Sequence, residues 1–434
     1  MDASDAGAVT SLLEDEAFRA LLRRAQDDWL SWDDFLTMRL PAATSPLEAW
    51  HLLQTLRRSV ALEFPNTEAH GLTAWYTRTA RMDALLSVID RECGAHSELY
   101  LALANAKGRP FAVRARVEDA IAAARIDGLE VGAETANRLL RMRRSPRTPA
   151  EMLLRNSVLA MQRLGDYIDE LFTPAFLHEL RRLLLQDIEP GSLPSDTPSR
   201  RTLHLEDSPY SKRLSADERA EGVCAYANDE TGEPHEHRAV RALMLAHTVR
   251  ATAILPDVNH QVGRLVFHLY CLKHDMPVLG MLPLNRARLM WERGELVPEA
   301  MASRPGRGVF PEGHEFDATG AVTLELILAV HELERLKRDV HEAERRDREI
   351  LAALSQDARF NVRQRRVIGR ALGDPHAEFR IGDHRADHNV TYATARKDLV
   401  GLASAGYLER RSQGRAFVFV PARGLAGKVR QAHG

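Results

Sequence analysis

Residues 389–420, NVTYATARKDLVGLASAGYLERRSQGRAFVFV, predict a helix followed by a β-hairpin. Thr391 can cap the helix, because its hydroxyl can accept a hydrogen bond from a backbone N–H two or three residues later, so the helix is expected to begin near Tyr392. After Gly406 the period falls to two, and Gly414 permits a tight turn between two strands. Steps of three and four residues place four side chains on one helical stripe that should face a core: Tyr392, Ala395, Leu399 and Leu402.

The remaining face of this helix carries short and basic side chains, and the hairpin is basic as well. Short side chains let a helix approach the major groove of DNA closely, Arg can fork onto guanine, and Lys can meet a phosphate. The hairpin arginines suit salt-dependent contacts with the DNA backbone that do not depend on sequence. The residues expected to contact double-stranded DNA are Thr391, Ala393, Thr394, Arg396, Lys397, Arg410, Arg411 and Arg415.

Two shorter helices are predicted before this stretch and complete the pattern of a winged helix-turn-helix over residues 356–423. Asn361 can cap the first helix, RQRRVIGRAL, and IGDHRA supplies the second before a turn at residues 387–389. From Gln356 to Gly434 the chain holds 15 Lys and Arg against 7 Asp and Glu, a net charge of +8, whereas the whole chain carries −2. This concentration of positive charge favours DNA binding. The alternative is a protein-interaction or dimerisation domain with solvated arginines.

Composition limits the class of protein. A chain of 434 residues that is 44% hydrophobic is expected to form two or three domains. The three cysteines are far apart and lack CxxC spacing, so neither a disulfide framework nor a zinc site is indicated. No signal peptide and no apolar run of membrane-spanning length occurs, which predicts a cytoplasmic protein without a membrane partner. No motif for a catalytic nucleophile, a metal or a cofactor is present.

The fold class predicted is mainly α, and four regions are expected. Residues 1–116 form an N-terminal helical region, residues 117–315 a helical domain and residues 316–355 a connecting helix before the winged helix. A polar stretch at residues 190–217 is expected to be a surface excursion. The apolar stripe of the connecting helix fades after Val340, so this helix could be a lone strut or a dimer seam.

Two segments in the middle of the chain resemble the Fic family. The first, VEDAIAAARIDGLEVGAE, resembles the inhibitory helix with the pattern [ST]xxxE[GN], with Asp127 at the Glu position and Gly128 at the last position. The second, LMLAHTVRATAILPDVNHQVGRLVFHLY, is similar to the core motif HPFx[DE]GNGRxxR. It places Asp257 at the metal carboxylate, Asn259 at the central Asn and Arg264 at the last Arg.

This resemblance implies a helical Fic-like core that lacks the catalytic activity of the family. Family enzymes move an AMP group from ATP to a protein hydroxyl, with the motif His as general base. Ala253, or Ile254 if the register moves by one, stands at that position, and neither can accept a proton. Val258 replaces a loop Gly and is expected to resist a positive φ because it is β-branched. Asp257 and Asn259 are expected to be loop and cap residues, with His260 as a displaced base beside Asp257 the less favoured reading.

The resemblance extends to the carboxyl end, since Fic proteins often carry an appended winged helix, and one bacterial group combines it with this degenerate core. The leading hypothesis is a bacterial DNA-binding regulator that forms a homodimer, with a Fic-like domain that senses a small molecule or protein partner or mediates oligomerisation. One alternative is a nucleotide-dependent AMP transferase with a non-standard active site. Another is an interaction protein whose winged helix does not touch DNA.

Overall fold

The structure is a computed structural model, and it divides into two compact units, Met1–Leu101 with Ala112–Glu334 and Ala102–Phe111 with Arg335–Gly434. It describes residues 10–41, 44–64, 73–105, 108–129, 131–132, 135–136, 139, 145–193, 215–230, 236–252, 254–296, 315–357, 359–373, 377–413 and 416–431. Both units are built mainly from helices with one small sheet each, which confirms the predicted fold class as mainly α. None of the described helices combines the length and apolar composition needed to cross a membrane.

Helices dominate the chain up to residue 356. The helices are α1 (Glu16–Asp27), α2 (Trp32–Thr37), α3 (Pro46–Arg58), α4 (Ala80–Cys93), α5 (Glu98–Ala104), α6 (Arg109–Ile126), α7 (Pro149–Arg163), α8 (Pro174–Leu184), α9 (Ala216–Ala227), α10 (Arg238–Thr252), α11 (Asn259–Lys273), α12 (Leu284–Glu292) and α13 (Thr319–Gln356). Short 3₁₀ turns occupy Leu164–Tyr167 and Leu279–Met281. The helix predicted over residues 316–355 corresponds to α13.

Three short strands form the sheet of the first unit: β1 (Leu62–Phe64), β2 (Thr73–Tyr76) and β3 (Glu315–Asp317). β2 lies in the middle, antiparallel to β1 and parallel to β3, with Ala74 opposite both Phe64 and Phe316. The sequence predicts an N-terminal helical region over residues 1–116 and gives no sign of β1 and β2 within it. Strands of three or four residues are too short to establish an alternating pattern against the surrounding helices.

Helix α11 lies at the centre of the first unit, since residues 259–271 are all buried. A helix buried on every side is usually apolar throughout. This one instead carries His260, Arg264 and His268 at steps of four residues, which places them on one face. Buried polar groups need partners, so this stripe requires polar residues on the neighbouring helices.

The second unit contains the order of elements that the sequence predicts, with two additions. Its elements are α14 (Val362–Gly373), β4 (Phe379–Arg380), α15 (Ile381–His388), α16 (Tyr392–Ser404), β5 (Leu408–Gln413), β6 (Ala416–Pro421) and α17 (Leu425–Gln431). The predicted hairpin is confirmed as β5 paired antiparallel with β6, and β4 adds a third strand along β6. Sequence reasoning missed β4, which has two residues, and α17, which packs Leu425 and Val429 into the core.

Three expectations fall on parts of the chain that are not described. These are the tight turn at Gly414 with the adjacent Arg415, most of the polar excursion at residues 190–217, and Ala253. Beyond Val340, residues 341, 342, 344 to 346, 348 and 349 of α13 are exposed, in keeping with the predicted loss of an apolar stripe.

Candidate functional site

Helix α16 begins as the sequence predicts. The Thr391 hydroxyl accepts a hydrogen bond from the Thr394 backbone N–H at 3.2 Å, which confirms the cap. Of the predicted core stripe, Ala395, Leu399 and Leu402 are fully buried. The prediction for Tyr392 is wrong, because 56% of this residue is exposed. It is the first residue of α16 and lies about a turn before the part of the helix that packs.

Asp398 fixes the position of α16 from inside the second unit. Its buried carboxylate accepts hydrogen bonds from Asn361 Nδ2 at 2.8 Å and from Arg363 Nε at 2.7 Å, both at the start of α14. His384 Nε2 of α15 lies 3.3 Å from Oδ2. Burial alone would raise the pKa of Asp398, but the hydrogen bonds from Arg363, Asn361 and His384 outweigh it and lower the pKa. One carboxylate therefore joins three helices.

The outer face of α16 presents cations without partners. Arg396 and Lys397 are exposed, and their side chains make no hydrogen bond or ion pair with any residue that the structure describes. Ala393 is exposed beside them and Thr394 is half-buried. The side chains of Arg396 and Lys397 remain available to a ligand, because nothing within the described part of the chain satisfies their charges.

The structure adds two cations to this set that sequence reasoning missed. Arg366 of α14 and Arg385 of α15 are exposed, and no ion pair or side-chain hydrogen bond engages either within the described ranges. A signal existed in the sequence, because both residues lie in the two helices that precede α16. In a helix-turn-helix, the helix before the recognition helix crosses the DNA backbone.

The two described arginines of the hairpin, Arg410 and Arg411, are both exposed but have different neighbours. Arg410 is exposed, with its guanidinium carbon 4.6 Å from the ring centroid of Phe417. Arg411 is also exposed and lies 3.6 Å from a Glu409 carboxylate oxygen. Arg415, the third predicted hairpin contact, lies outside the described residues.

A second polar cluster surrounds the face of α11 in the first unit. Arg264 Nε donates to Asp119 Oδ2 of α6, and Arg264 Nη1 donates to the Ser157 hydroxyl of α7 at 2.6 Å. Asp119 also accepts from the Asn285 backbone N–H at 2.9 Å. Burial alone would raise the pKa of Asp119, but the charge of Arg264 holds it well below its ordinary value. The arrangement is a buried, compensated ion pair.

Asp127, the expected remnant of the inhibitory helix, contacts the loop end of α11. Its carboxylate lies 2.8 Å from His260 Nδ1 and accepts from Gln261 Nε2 at 2.8 Å. The other ring nitrogen of His260 lies 2.8 Å from Asn285 Oδ1. His260 therefore does not lie against Asp257, and the reading of His260 as a displaced base beside Asp257 is wrong. Gly128 follows with φ +75°, the left-handed conformation that often ends a helix.

The loop before α11 is held by its own side chains. Asp257 accepts two hydrogen bonds from the Arg181 guanidinium, at 2.6 and 2.8 Å. Asn259 Oδ1 accepts from the Leu255 N–H at 2.8 Å, and its Nδ2 donates to the Leu255 carbonyl at 2.7 Å. Asp257 is therefore a loop residue, as expected, whereas Asn259 is the first residue of α11 and the cap position itself is held by Val258, whose side chain makes no cap hydrogen bond.

The backbone conformation of Val258 differs from the one predicted from the sequence. Its φ of +50° and ψ of +26° lie in the left-handed region, which a β-branched residue was expected to resist. The loop imposes this conformation at a cost of about 1–3 kcal/mol. The side chain is buried, and burial of its methyl groups offsets part of that cost.

His268 is the buried residue of this cluster that the sequence argument overlooked. Both ring nitrogens lack a hydrogen-bond partner among the described residues, and Nε2 lies 3.9 Å from Asp119 Oδ2, beyond hydrogen-bond distance. Burial lowers the pKa of His268 to about 4, so the ring is neutral at pH 7. It lines a cavity of about 20 Å³ together with Asn285, Arg288 and Glu325. The signal was the spacing of His260, Arg264 and His268.

The described part of the chain offers neither a group of side chains suited to a metal ion nor a reactive cysteine. No group of three or more His, Cys, Asp or Glu side chains there could hold a metal ion. The three cysteines are buried and free, and burial raises the pKa of Cys93 and of Cys224 to about 12. A thiol with so high a pKa is a poor nucleophile.

Comparison with known proteins finds similarity only among solved structures. No family model and no curated protein matches the chain. Among solved structures, the chain is similar to a Fic family protein from Desulfovibrio desulfuricans G20, with 17% sequence identity, 80% of this chain and 97% of that chain covered, and a TM-score of 0.46. At this TM-score the similarity assigns neither a family nor an activity to this chain.

Proposed function

We propose that this protein is a bacterial DNA-binding protein that regulates transcription, with the second unit as a winged helix-turn-helix domain. The observation that carries the proposal is the division of α16 into two faces. Ala395, Leu399 and Leu402 are fully buried, whereas Arg396 and Lys397 are exposed and unpaired among the described residues. A helix with its apolar face packed and its cationic face free is suited to the major groove.

The connection into α16 supports the same function. α15 ends at His388, and Asn389 adopts φ +48° at the turn before the Thr391 cap. Two helices joined by three residues fit the helix-turn-helix geometry. Asp398 locks α14, α15 and α16 together, so the recognition surface is ordered before DNA binds, and less entropy is lost on binding.

Phosphate contacts are proposed for the cations that flank α16. Arg366 and Arg385 are exposed on the two preceding helices and would meet the backbone while α16 reads bases. Tyr392, exposed at the start of α16, joins the reading face and can donate its hydroxyl to a phosphate or base. The face is thus proposed to comprise Thr391, Tyr392, Ala393, Thr394, Arg396 and Lys397.

The first unit is proposed to be a Fic-like domain without catalytic activity that senses a ligand or partner or forms a homodimer. The residues that match the Fic motif support this proposal, because each of them is bound by another part of the same chain. Asp257 is bound by Arg181, Asn259 holds the Leu255 backbone, and Arg264 is paired with Asp119. Ile254, one of the two residues aligned with the catalytic His, is 4% exposed and cannot accept a proton.

Salt dependence of DNA affinity tests the proposal with the full chain. Counterion release makes the logarithm of the affinity for duplex DNA fall linearly with the logarithm of salt concentration. We expect such a fall for purified protein and a labelled random-sequence duplex. Absence of binding at low salt would contradict DNA binding and would favour an interaction protein.

A further inference from the structure

Helices α2 and α3 of the first unit carry an exposed apolar surface built around two tryptophans. The rings of Trp32 and Trp50 meet edge to face, with 5.4 Å between their centroids. Leu36 follows Trp32 by four residues and Leu47 precedes Trp50 by three, spacings that place each pair on one side of its helix. Trp32 is 37% exposed, Leu36 45% and Leu47 49%, and Trp50 is half-buried. These four side chains are called the Trp32 patch.

The core beneath the Trp32 patch holds its rings in place. Phe35 is fully buried, and its ring stacks on Trp32 at 5.4 Å and meets the edge of Trp50 at 5.0 Å. The Ser31 hydroxyl accepts a hydrogen bond from the Asp34 N–H at 3.0 Å and fixes the start of α2. A patch that is ordered before binding loses less entropy when a partner covers it. Contiguous exposed apolar surface of this kind marks an interaction site, and Trp is enriched where interfaces bind most strongly.

Two charged residues of opposite sign flank Leu36 at equal distances in the sequence. Asp33 precedes it by three residues and Arg39 follows it by three. Both are exposed, and neither forms an ion pair or a side-chain hydrogen bond with a residue that the structure describes. In a two-fold dimer the same surface serves both copies, so residue i meets residue j and j meets i. With Leu36 on the axis and two copies of α2 antiparallel, Asp33 of each copy lies opposite Arg39 of the other.

We propose that the Trp32 patch is the surface through which two copies of this chain associate, with Leu36 at the two-fold axis. The apolar side chains supply most of the binding energy, and the two symmetry-related Asp33–Arg39 pairs set the antiparallel register. This inference rests on the proposed role of the first unit in forming a homodimer and names the face that it uses.

Sedimentation equilibrium of the 434-residue chain tests the face. We expect the wild-type protein to be a dimer at micromolar concentration. Leu36→Glu should weaken self-association at least about thirtyfold, because it places two carboxylates together at the centre of the interface. Leu171→Glu is the matched control, since it adds the same charge at a leucine that is 64% exposed outside the patch, and it should associate as the wild type does. Circular dichroism checks that both variants keep their helical content.

Charge reversal tests the register. Asp33→Arg should weaken self-association about tenfold, because both symmetry-related pairs become repulsive. Asp33→Arg combined with Arg39→Asp should restore wild-type association. A loss caused by destabilisation of α2 would persist in the double variant, which carries the same change at the start of the helix.

A cross-link tests the position of the axis. The three native cysteines are buried, so mild oxidation of Leu36→Cys should link two chains through the new thiols alone. Leu171→Cys should remain a single chain under the same conditions.

The outcomes separate this inference from the proposed function. A dimer that survives Leu36→Glu would overturn the assignment of this face and leave the homodimer role intact. Failure of the double charge reversal to restore association would overturn the antiparallel register. A wild-type protein that is monomeric would overturn both this inference and the homodimer role. DNA binding is judged separately, by the affinity of the same preparations for duplex DNA.

Discussion

Arg264 and Arg396 occupy similar positions, each within the first two turns of a helix, and have opposite environments. Arg264 in α11 is 3% exposed and is satisfied by Asp119 and Ser157, whereas Arg396 in α16 is exposed with no partner among the described residues. A buried charge must be compensated within the protein, so its partners indicate a structural role. An exposed, unpaired charge on an ordered helix is free to bind a ligand.

The largest expected effect concerns the buried arginine. Asp119→Ala should destabilise the first unit by about 3–5 kcal/mol, because Arg264 would remain buried without a counter-charge. All five Trp residues belong to the first unit, so the Trp fluorescence transition in urea measures that unit. Glu179→Ala, which breaks the more exposed pair with Arg182, is the control and should leave the midpoint unchanged.

Replacing both partners sharpens this prediction. The double variant Asp119→Leu with Arg264→Met should recover most of the lost stability, since it removes both charges from the interior. A single variant as stable as the wild type would contradict a structural role for the pair. A double variant as unstable as the single would show that packing, and not the uncompensated charge, causes the loss.

The second prediction concerns the exposed arginine. Arg396→Ala should weaken binding to a duplex that the protein has selected from random DNA about tenfold, because an Arg fork on guanine is lost. The sequence preference of the protein should relax as well. Lys397→Ala should weaken binding to all duplexes alike and reduce the salt slope by about one. Fluorescence anisotropy measures both effects. Arg346→Ala, an exposed arginine of α13 paired with Glu342, is the matched control and should bind as the wild type does.

A third prediction uses the pH dependence of the second unit. The pKa of Asp398 is below its ordinary value of 3.8, so its stabilisation is complete above that pH and declines as pH falls through the lowered pKa. Asp398→Asn should therefore lower the protection of α16 amides from hydrogen exchange at pH 7. The difference from the wild type should shrink below about pH 4. A difference that is constant over this pH range would exclude the ionised carboxylate as its cause.

The sequence predicts the local elements around Arg396 but not the surroundings of Arg264, and the difference has physical reasons. The cap at Thr391, the bounds of α16 and the hairpin follow from local patterns, and they are present. Tyr392 was misplaced because periodicity does not reveal where a helix stops packing. The partners of Arg264 could not be predicted, since Asp119 is 145 residues away and only the tertiary fold brings them together. Val258 likewise adopts a conformation that the loop imposes against its own preference.

The smallest expected effect is a negative one. Mg²⁺ with ATP should not raise the unfolding midpoint measured by Trp fluorescence, because Asp257, the residue aligned with the metal carboxylate, is bound by Arg181. A rise that depends on nucleotide concentration would favour the alternative of an AMP transferase with a non-standard site. Arg181→Ala, which releases Asp257, provides the comparison.

The most direct measurement is a selection of random duplex DNA by the 434-residue chain at near-physiological salt, run in parallel with the double variant Arg396→Ala with Lys397→Ala. We predict that the wild-type protein enriches a defined sequence, palindromic if the protein is a dimer, and that the variant does not. Failure of the wild-type protein to enrich any sequence, or equal enrichment by the variant, would contradict the assignment of α16 as a DNA-reading helix.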